Sequence, residues 1–185
     1  MPNEEKKRLR REIRGLKARL LTPESRTEWS SAICDGIEKL DVFRKAGIIL
    51  LYCPMVDEVD VSGLFSACHG SKRIAVPLVE GDHLVLKEYD PLHVHRGYRD
   101  IIEPDSDSAD IQPSEIDFAV IPGMAFDASC RRLGRGGGFY DRLLPSLDCV
   151  KAGAAFSFQI AEEVFSDELD SPVDMVVTEK FTLKP

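Results

Sequence analysis

The stretch Asp117-Phe-Ala-Val-Ile-Pro-Gly123, continued by Arg131-Arg-Leu-Gly-Arg-Gly-Gly-Gly-Phe-Tyr-Asp-Arg-Leu-Leu144, decides the fold. Residues 117–121 read as an apolar strand, and Pro122-Gly123 ends it. The glycine-rich segment then runs into a helix expected from about Tyr140 to Leu147. Upstream, Gly47-Ile-Ile-Leu-Leu-Tyr-Cys53 reads as a buried strand stopped by Pro54, Val61–His69 as a short helix, and Arg73–Pro77 and His83–Tyr89 as strands. Residues 90–116 read mostly as loop. Downstream, Lys151–Phe158 and Val173–Thr178 close the set of strands. Strands alternate with helices along most of the chain. The expectation is one α/β domain over residues 1–185, a three-layer αβα, Rossmann-like arrangement with a mainly parallel central sheet. No internal repeat and no linker divides the chain.

Two helices precede the first strand. Leu9, Ile13, Leu16 and Leu20 make one apolar stripe, which predicts an amphipathic helix over about residues 3–21. Lys6, Arg10 and Lys17 line one border of that stripe, where a docked helix would meet the body. Thr22 caps a second helix that Pro23 begins and that runs to about Leu40.

Composition narrows the function. Residues 1–20 carry eight basic side chains (Lys6, Lys7, Arg8, Arg10, Arg11, Arg14, Lys17, Arg19) against Glu4, Glu5 and Glu12. That local +5 sits in a chain of net charge −8, so the remaining residues carry −13, which disfavours a general nucleic-acid binder. A cationic element on an acidic body suggests a specific anionic partner or an internal docking role. No apolar run is long enough to cross a bilayer, and no signal-peptide pattern is present, so a cytoplasmic location is expected. The five cysteines are odd in number and lack a CxxC spacing, which argues for free thiols. His93 and His95 have no third ligand at suitable spacing, and Trp29 reads as core.

The glycine segment carries the chemistry. Gly134, Gly136, Gly137 and Gly138 let backbone amides approach a ligand closely, and such amides at a helix start favour phosphate. Arg132 and Arg135 can pair with phosphate oxygens, Asp141 can hold magnesium, and Phe139 and Tyr140 offer flat surfaces to a ring. No Gly-Lys-Ser/Thr follows, so this is not a P-loop; Phe139 stands where a dinucleotide fingerprint would need its last glycine. On the residues alone, a flexible surface loop with a helix cap stands close behind a phosphate site.

The string Ile121-Pro-Gly-Met-Ala-Phe-Asp127 followed by residues 131–144 resembles the signature of the 5-formyltetrahydrofolate cyclo-ligase family. The likeness extends over nearly the whole chain. Lys6-Lys-Arg-Leu-Arg10, Met55-Val-Asp-Glu-Val-Asp60, Glu103-Pro104, Ala155–Gln159 and Asp170-Ser-Pro-Val-Asp174 with Glu179 each resemble family segments in the same order. The departures are Phe139 for a usual tyrosine, Gly137 where some members place lysine, and Leu169 where the family often has histidine.

The resemblance implies an enzyme that uses ATP to convert 5-formyltetrahydrofolate to 5,10-methenyltetrahydrofolate through a phosphorylated formyl group. By motif position, Lys6, Arg10, Arg132, Gly134, Arg135, Gly136, Gly137, Gly138, Phe139 and Tyr140 would bind ATP, with Arg135 and Tyr140 catalytic. Met55, Asp60 and Arg10 would meet the folate, with Glu58 as an alternative carboxylate. Asp141 and Asp170 would hold Mg2+. A monomer or weak dimer without nucleic-acid or membrane partners is implied. The competing readings are a non-catalytic folate- or nucleotide-binding relative and an ATP-dependent ligase or kinase acting on another small molecule.

Overall fold

The apolar stripe on the first helix and the proline after it set the N-terminal architecture. The computed structural model describes residues 2–97 and 102–185. Helix α1 spans Pro2–Leu20 and α2 spans Pro23–Glu38. Thr22 separates them: its hydroxyl accepts from Ser25 N at 3.2 Å, Thr22 N donates to the Ser25 hydroxyl at 2.9 Å, and Pro23 begins the new helix where its missing N–H costs nothing. A short helix, α3 (Asp41–Lys45), then leads into β1 (Ile48–Leu50).

The remaining elements are α4 (Ser62–Cys68), β2 (Arg73–Glu80), β3 (His83–Glu88), β4 (Val94–Arg96), β5 (Ile102–Pro104), β6 (Phe118–Pro122), β7 (Ala125–Phe126), β8 (Arg132–Leu133), α5 (Phe139–Leu143), β9 (Val150–Ala154), β10 (Met175–Val177) and β11 (Thr182–Leu183). The central sheet has the order β11-β10-β9-β6-β1-β2-β3. Its five inner strands are mutually parallel, and β11 and β3 close the edges antiparallel.

Alternation along the strands assigns the two faces. Ile49, Ile74, Val76, Phe118, Val120, Ala152, Ala154, Met175 and Val177 pack beneath Ile33 and Ile37 of α2, Phe43 of α3, and Leu64 and Cys68 of α4. Leu50, Ala75, Ala119, Ile121 and Val176 face the other way, onto Leu143 of α5, Leu144, Leu147, Ile111 and Ile116. The second helical layer is therefore thin: Pro145 stops α5 early, and a 3-10 turn, Leu144–Ser146, finishes it. Helix α1 lies outside both layers. Its Ile13 is buried in a separate small cluster with Met124, Ala125, Leu133 and Val164, beside the β7–β8 hairpin. Burying one such side chain contributes about 1.5–3 kcal/mol, so polar contacts must share in docking a helix this long.

The expected strands and helices are present with altered bounds. The 47–53 run forms only three strand residues, Ile48–Leu50; beyond them Tyr52 donates its hydroxyl to Val59 O at 2.9 Å. The 73–77 strand extends to Glu80 and turns through Gly81, at φ +61°, into β3 as a hairpin. Within 90–116, β4 and β5 pair antiparallel. The 151–158 strand stops at Ala154, and residues 157–159 form a 3-10 turn. All five cysteines are free thiols, and Trp29 packs its ring against Phe156 and Phe158. His93 pairs with Asp90, and His95 with Asp105.

Candidate active site

In a parallel sheet the loops at the carboxyl ends of the strands are free to meet a ligand. Here Tyr52 and Cys53 beyond β1, Pro77 and Val79 of β2, Pro122 at the end of β6 and Gly123 after it line a cavity of about 380 Å³. Met55, Glu58, Glu103 and the glycine segment complete its walls. Apolar and aromatic surface dominates, with a few charged groups, as suits a flat heterocycle carrying polar edges.

The glycine segment forms one wall. Gly136 and Gly138 adopt φ of +110° and +69°, a backbone that side-chain-bearing residues rarely take. Among the described residues, the N–H groups of 135–138 donate to no carbonyl or side chain. These amides are open donors at the rim of the cavity, which suits phosphate oxygens. Gly137 has no room for a side chain as Phe139 now sits: a Cβ would lie 2.8 Å from its ring. A lysine at that position, as in some family members, would require Phe139 to move.

Arg132 lies beneath this wall. Its side chain is 2% exposed, its Nη2 donates to Asp141 Oδ1 at 2.5 Å, and its Nη1 reaches Pro122 O at 3.3 Å. Its Nε is buried without a partner. The guanidinium also sits 5.5 Å from the centre of the Tyr140 ring. Burial pushes the Tyr140 phenol far up, and the nearby Glu58 charge pushes it the same way, so at neutral pH it remains a hydrogen-bond donor.

Residues 55–60 form the opposite wall. Arg26 of α2 straps it with Nε to Glu58 O at 3.0 Å, Nη2 to Met55 O at 3.3 Å and Nη1 to Asp60 Oδ2 at 3.2 Å. Met55 N donates to Glu58 Oε2 at 3.0 Å, and Asp60 Oδ1 accepts from Ser62 N at 3.1 Å. Glu58 thus faces the cavity, whereas Asp60 is turned to Arg26 and to the start of α4 and does not line it. Across the gap, Arg135 donates from Nε to Glu58 Oε1 at 2.9 Å and from Nη2 to Asp57 Oδ1 at 2.5 Å.

Helix α1 reaches both walls. Arg10 Nε donates to Gly134 O at 2.9 Å, and its guanidinium lies against Gly136. Lys17 Nζ donates to Asp57 O at 2.6 Å and meets Asp57 Oδ2 at 3.1 Å. Lys6 is held between Asp167, at 2.7 Å, and Asp170. Burial works against the Lys6 charge, but the two carboxylates outweigh it and raise the ammonium above its ordinary value. Lys6, Lys17, Arg132 and Arg135 are all ion-paired. Arg10 has no carboxylate partner among the described residues, and neither has Arg142, which donates to Gly137 O at 3.1 Å. Burial and the charge of Arg14 push Arg10 below its usual value, with Asp170 and Asp141 acting the other way.

The structure therefore brings Met55, Glu58, Arg132, Gly134, Arg135, Gly137, Gly138, Phe139, Tyr140 and Asp141 to one cavity. Gly136 and Arg10 stand behind its glycine wall, while Lys6, Asp170 and Asp60 do not line it. Asp141 and Asp170 each give one oxygen to a cation, leaving the other without a protein partner among the described residues. No group of three His, Cys, Asp or Glu residues among those described could by itself hold a metal. That donor set fits a magnesium ion taking most of its ligands from phosphate and water.

Sequence reasoning gave no site role to Lys17, Asp57 or Arg26. Lys17 carried a usable signal, since it lies two helical turns from Arg10 on the same border. Arg26 carried none, because its contacts close across the α2–β1 segment. Asp127, inside the signature, is structural: its carboxylate accepts from Ser129 N, Arg131 N, Arg131 Nε and Val164 N.

Comparison with known proteins adds a relationship. The sequence description of the 5-formyltetrahydrofolate cyclo-ligase family matches residues 2–179. The chain is 30% identical to the 5-formyltetrahydrofolate cyclo-ligase of Escherichia coli K12, over 86% of this chain and 93% of that one. It is 36% identical to a solved 5,10-methenyltetrahydrofolate synthetase of Aquifex aeolicus, with a TM-score of 0.86, covering 97% of this chain and 92% of that one. A synthetase of Mycoplasma pneumoniae has a TM-score of 0.76 at 25% identity, over 94% and 98%.

Proposed function

The chain belongs to the 5-formyltetrahydrofolate cyclo-ligase family and is a ligase, and we propose that ATP drives its conversion of 5-formyltetrahydrofolate to 5,10-methenyltetrahydrofolate in the cavity between the two walls. The observation that carries this reading is one cavity with open backbone amides and arginines on one side and a partly buried carboxylate, Glu58, on the other. The first suits phosphate oxygens; the second suits the paired N–H donors on a pterin edge.

The chemistry needs both ligands together. An amide oxygen is a poor leaving group. When the formyl oxygen attacks the γ-phosphorus, the bond to the β-phosphate oxygen breaks and ADP departs. The formyl carbon now carries a phosphate in an iminium system. The neighbouring folate nitrogen attacks that carbon, loses its proton, and phosphate leaves as the ring closes. The protein's part is positioning and neutralisation of charge. Arg10 and the amides of 135–138 hold the phosphate chain, and Arg135 meets the charge that develops on the transferred group. Tyr140 donates from its protonated phenol, while Met55 and Glu58 hold the pterin. Lys6 ties α1 to the Asp167–Asp170 segment. Asp141, and Asp170 beside Arg10, would hold magnesium, which neutralises phosphate charge when bound. The enzyme acts in the cytoplasm as a monomer or weak dimer; among the described residues no helix is long and apolar enough to cross a membrane.

The test follows the near-ultraviolet absorbance of the methenyl product. Purified protein is given 5-formyltetrahydrofolate and magnesium-ATP at a pH where spontaneous cyclisation is slow. Growth of absorbance that requires both protein and ATP is expected. Folate binding without ATP-dependent growth would overturn the reading in favour of a non-catalytic relative. ATP consumption with a different acceptor would point to another ligase or kinase.

A further inference from the structure

Lys17 is a lysine in an expensive place. Its side chain is 5% exposed, on the inner border of α1, and it does not line the cavity. Burial pushes its ammonium below the ordinary value, so the fold opposes its charge. A methionine would fill the same space without that penalty. What the charge does is visible in its contacts: both are to Asp57, one to the carbonyl and one to Oδ2.

Asp57 is the bridge. Its Oδ2 faces Lys17 while its Oδ1 accepts from Arg135 Nη2, and Arg135 Nε continues to Glu58. Two cations and two carboxylates alternate and sum to zero. Without Lys17 the cluster would carry −1 at the wall that must receive a polyanion. Two carboxylates would then share Arg135 alone and hold it more tightly away from phosphate.

We propose that Lys17 is a positioning residue for the reaction, neutralising and orienting Asp57 so that Arg135 stands at the glycine segment with its charge available to ATP. This rests on the assignment of ATP to that segment. Lys17 touches neither ligand and acts through Asp57.

The experiment is calorimetric binding of a non-hydrolysable magnesium-ATP analogue, and separately of 5-formyltetrahydrofolate, to the full chain. Wild type, Lys17→Met, Lys17→Arg and the double variant Lys17→Met/Asp57→Asn are compared, each with a thermal melt. Lys17→Met should weaken the ATP analogue about tenfold, the effect of one unbalanced charge near a partly screened site. Folate affinity should change by less than about threefold on the same argument, because Glu58 keeps its other contacts. Lys17→Arg should keep most of the ATP affinity. Asn at 57 should restore it in the Lys17→Met background, since it removes the unbalanced charge. A purely structural lysine would give lower melting temperatures with no selective loss of ATP affinity and no recovery in the double variant, and that result overturns the proposal. If wild type itself fails to bind the ATP analogue, the assignment of ATP has failed and takes the proposal with it. If wild type binds and Lys17→Met binds equally well, only the role of Lys17 has failed.

Discussion

The two walls of the cavity are built on opposite principles. Residues 55–60 are strapped down: Arg26 alone fixes three of their oxygens, Ser62 and Lys17 fix others, and the Ser30 hydroxyl accepts from Asp60 N. Residues 134–138 are tied by little more than Arg10 on Gly134 O and Arg142 on Gly137 O, and 135–138 leave their amides open. A wall with its polar groups satisfied can be rigid and read a flat ring edge. A wall with open donors gains its partners from the ligand, which suits a phosphate chain that must arrive, react and leave. Arg135 joins the two, because at rest it stands on the glycine wall and is paired with the carboxylates of the other.

The largest effect should come from cutting that join. Arg135→Met is expected to lower turnover by about 10²–10³-fold, the scale of a lost donor to developing charge, with a melting temperature close to wild type. Steady-state kinetics check it, and a loss below threefold would return Arg135 to a structural role. Arg10→Ala should come next. Arg10 is a site cation without an ion pair among the described residues, so its loss should raise the KM for ATP by about 10–100-fold, the value of a charged hydrogen bond. If the folate KM rose instead, Arg10 would belong to the other ligand.

Glu58→Gln sharpens the comparison from the opposite wall. It should raise the folate KM about tenfold and, by releasing Arg135, leave ATP binding equal or tighter. Equal losses for both ligands would mean that the walls are not separate subsites. The smallest effect is expected from Asp60→Asn. Both KM values should stay within about twofold, and stability should fall by about 1 kcal/mol, since its two contacts are to Arg26 and Ser62. A denaturant melt beside the kinetics separates the two; a folate KM many times higher would give Asp60 the pterin role after all.

Glu58 and Asp60 also show how far the sequence could be read. Both sit in Met55–Asp60, and nothing local distinguishes them as ligands. Only the closure of Arg26 and Ser30 onto this loop sends one carboxylate inward and the other to the start of α4. The sheet was legible because its inner strands are short apolar runs bounded by Pro and Gly, as Phe118–Pro122 is. The β4–β5 and β7–β8 hairpins were not, since pairs of two or three residues carry no periodicity. The glycine segment was legible because positive φ demands glycine. Lys17 was seen on the right face of α1, but its partner, Asp57, is set by tertiary packing.

The central claim is that ATP cleavage and ring closure are one coupled event in this cavity. The direct measurement quenches a single turnover and counts ADP and methenyl product together, with and without 5-formyltetrahydrofolate. One ADP per ring closed, and almost none without the folate, is the result this account predicts. ADP formed at the same rate without folate, or ring closure without ADP, would contradict it.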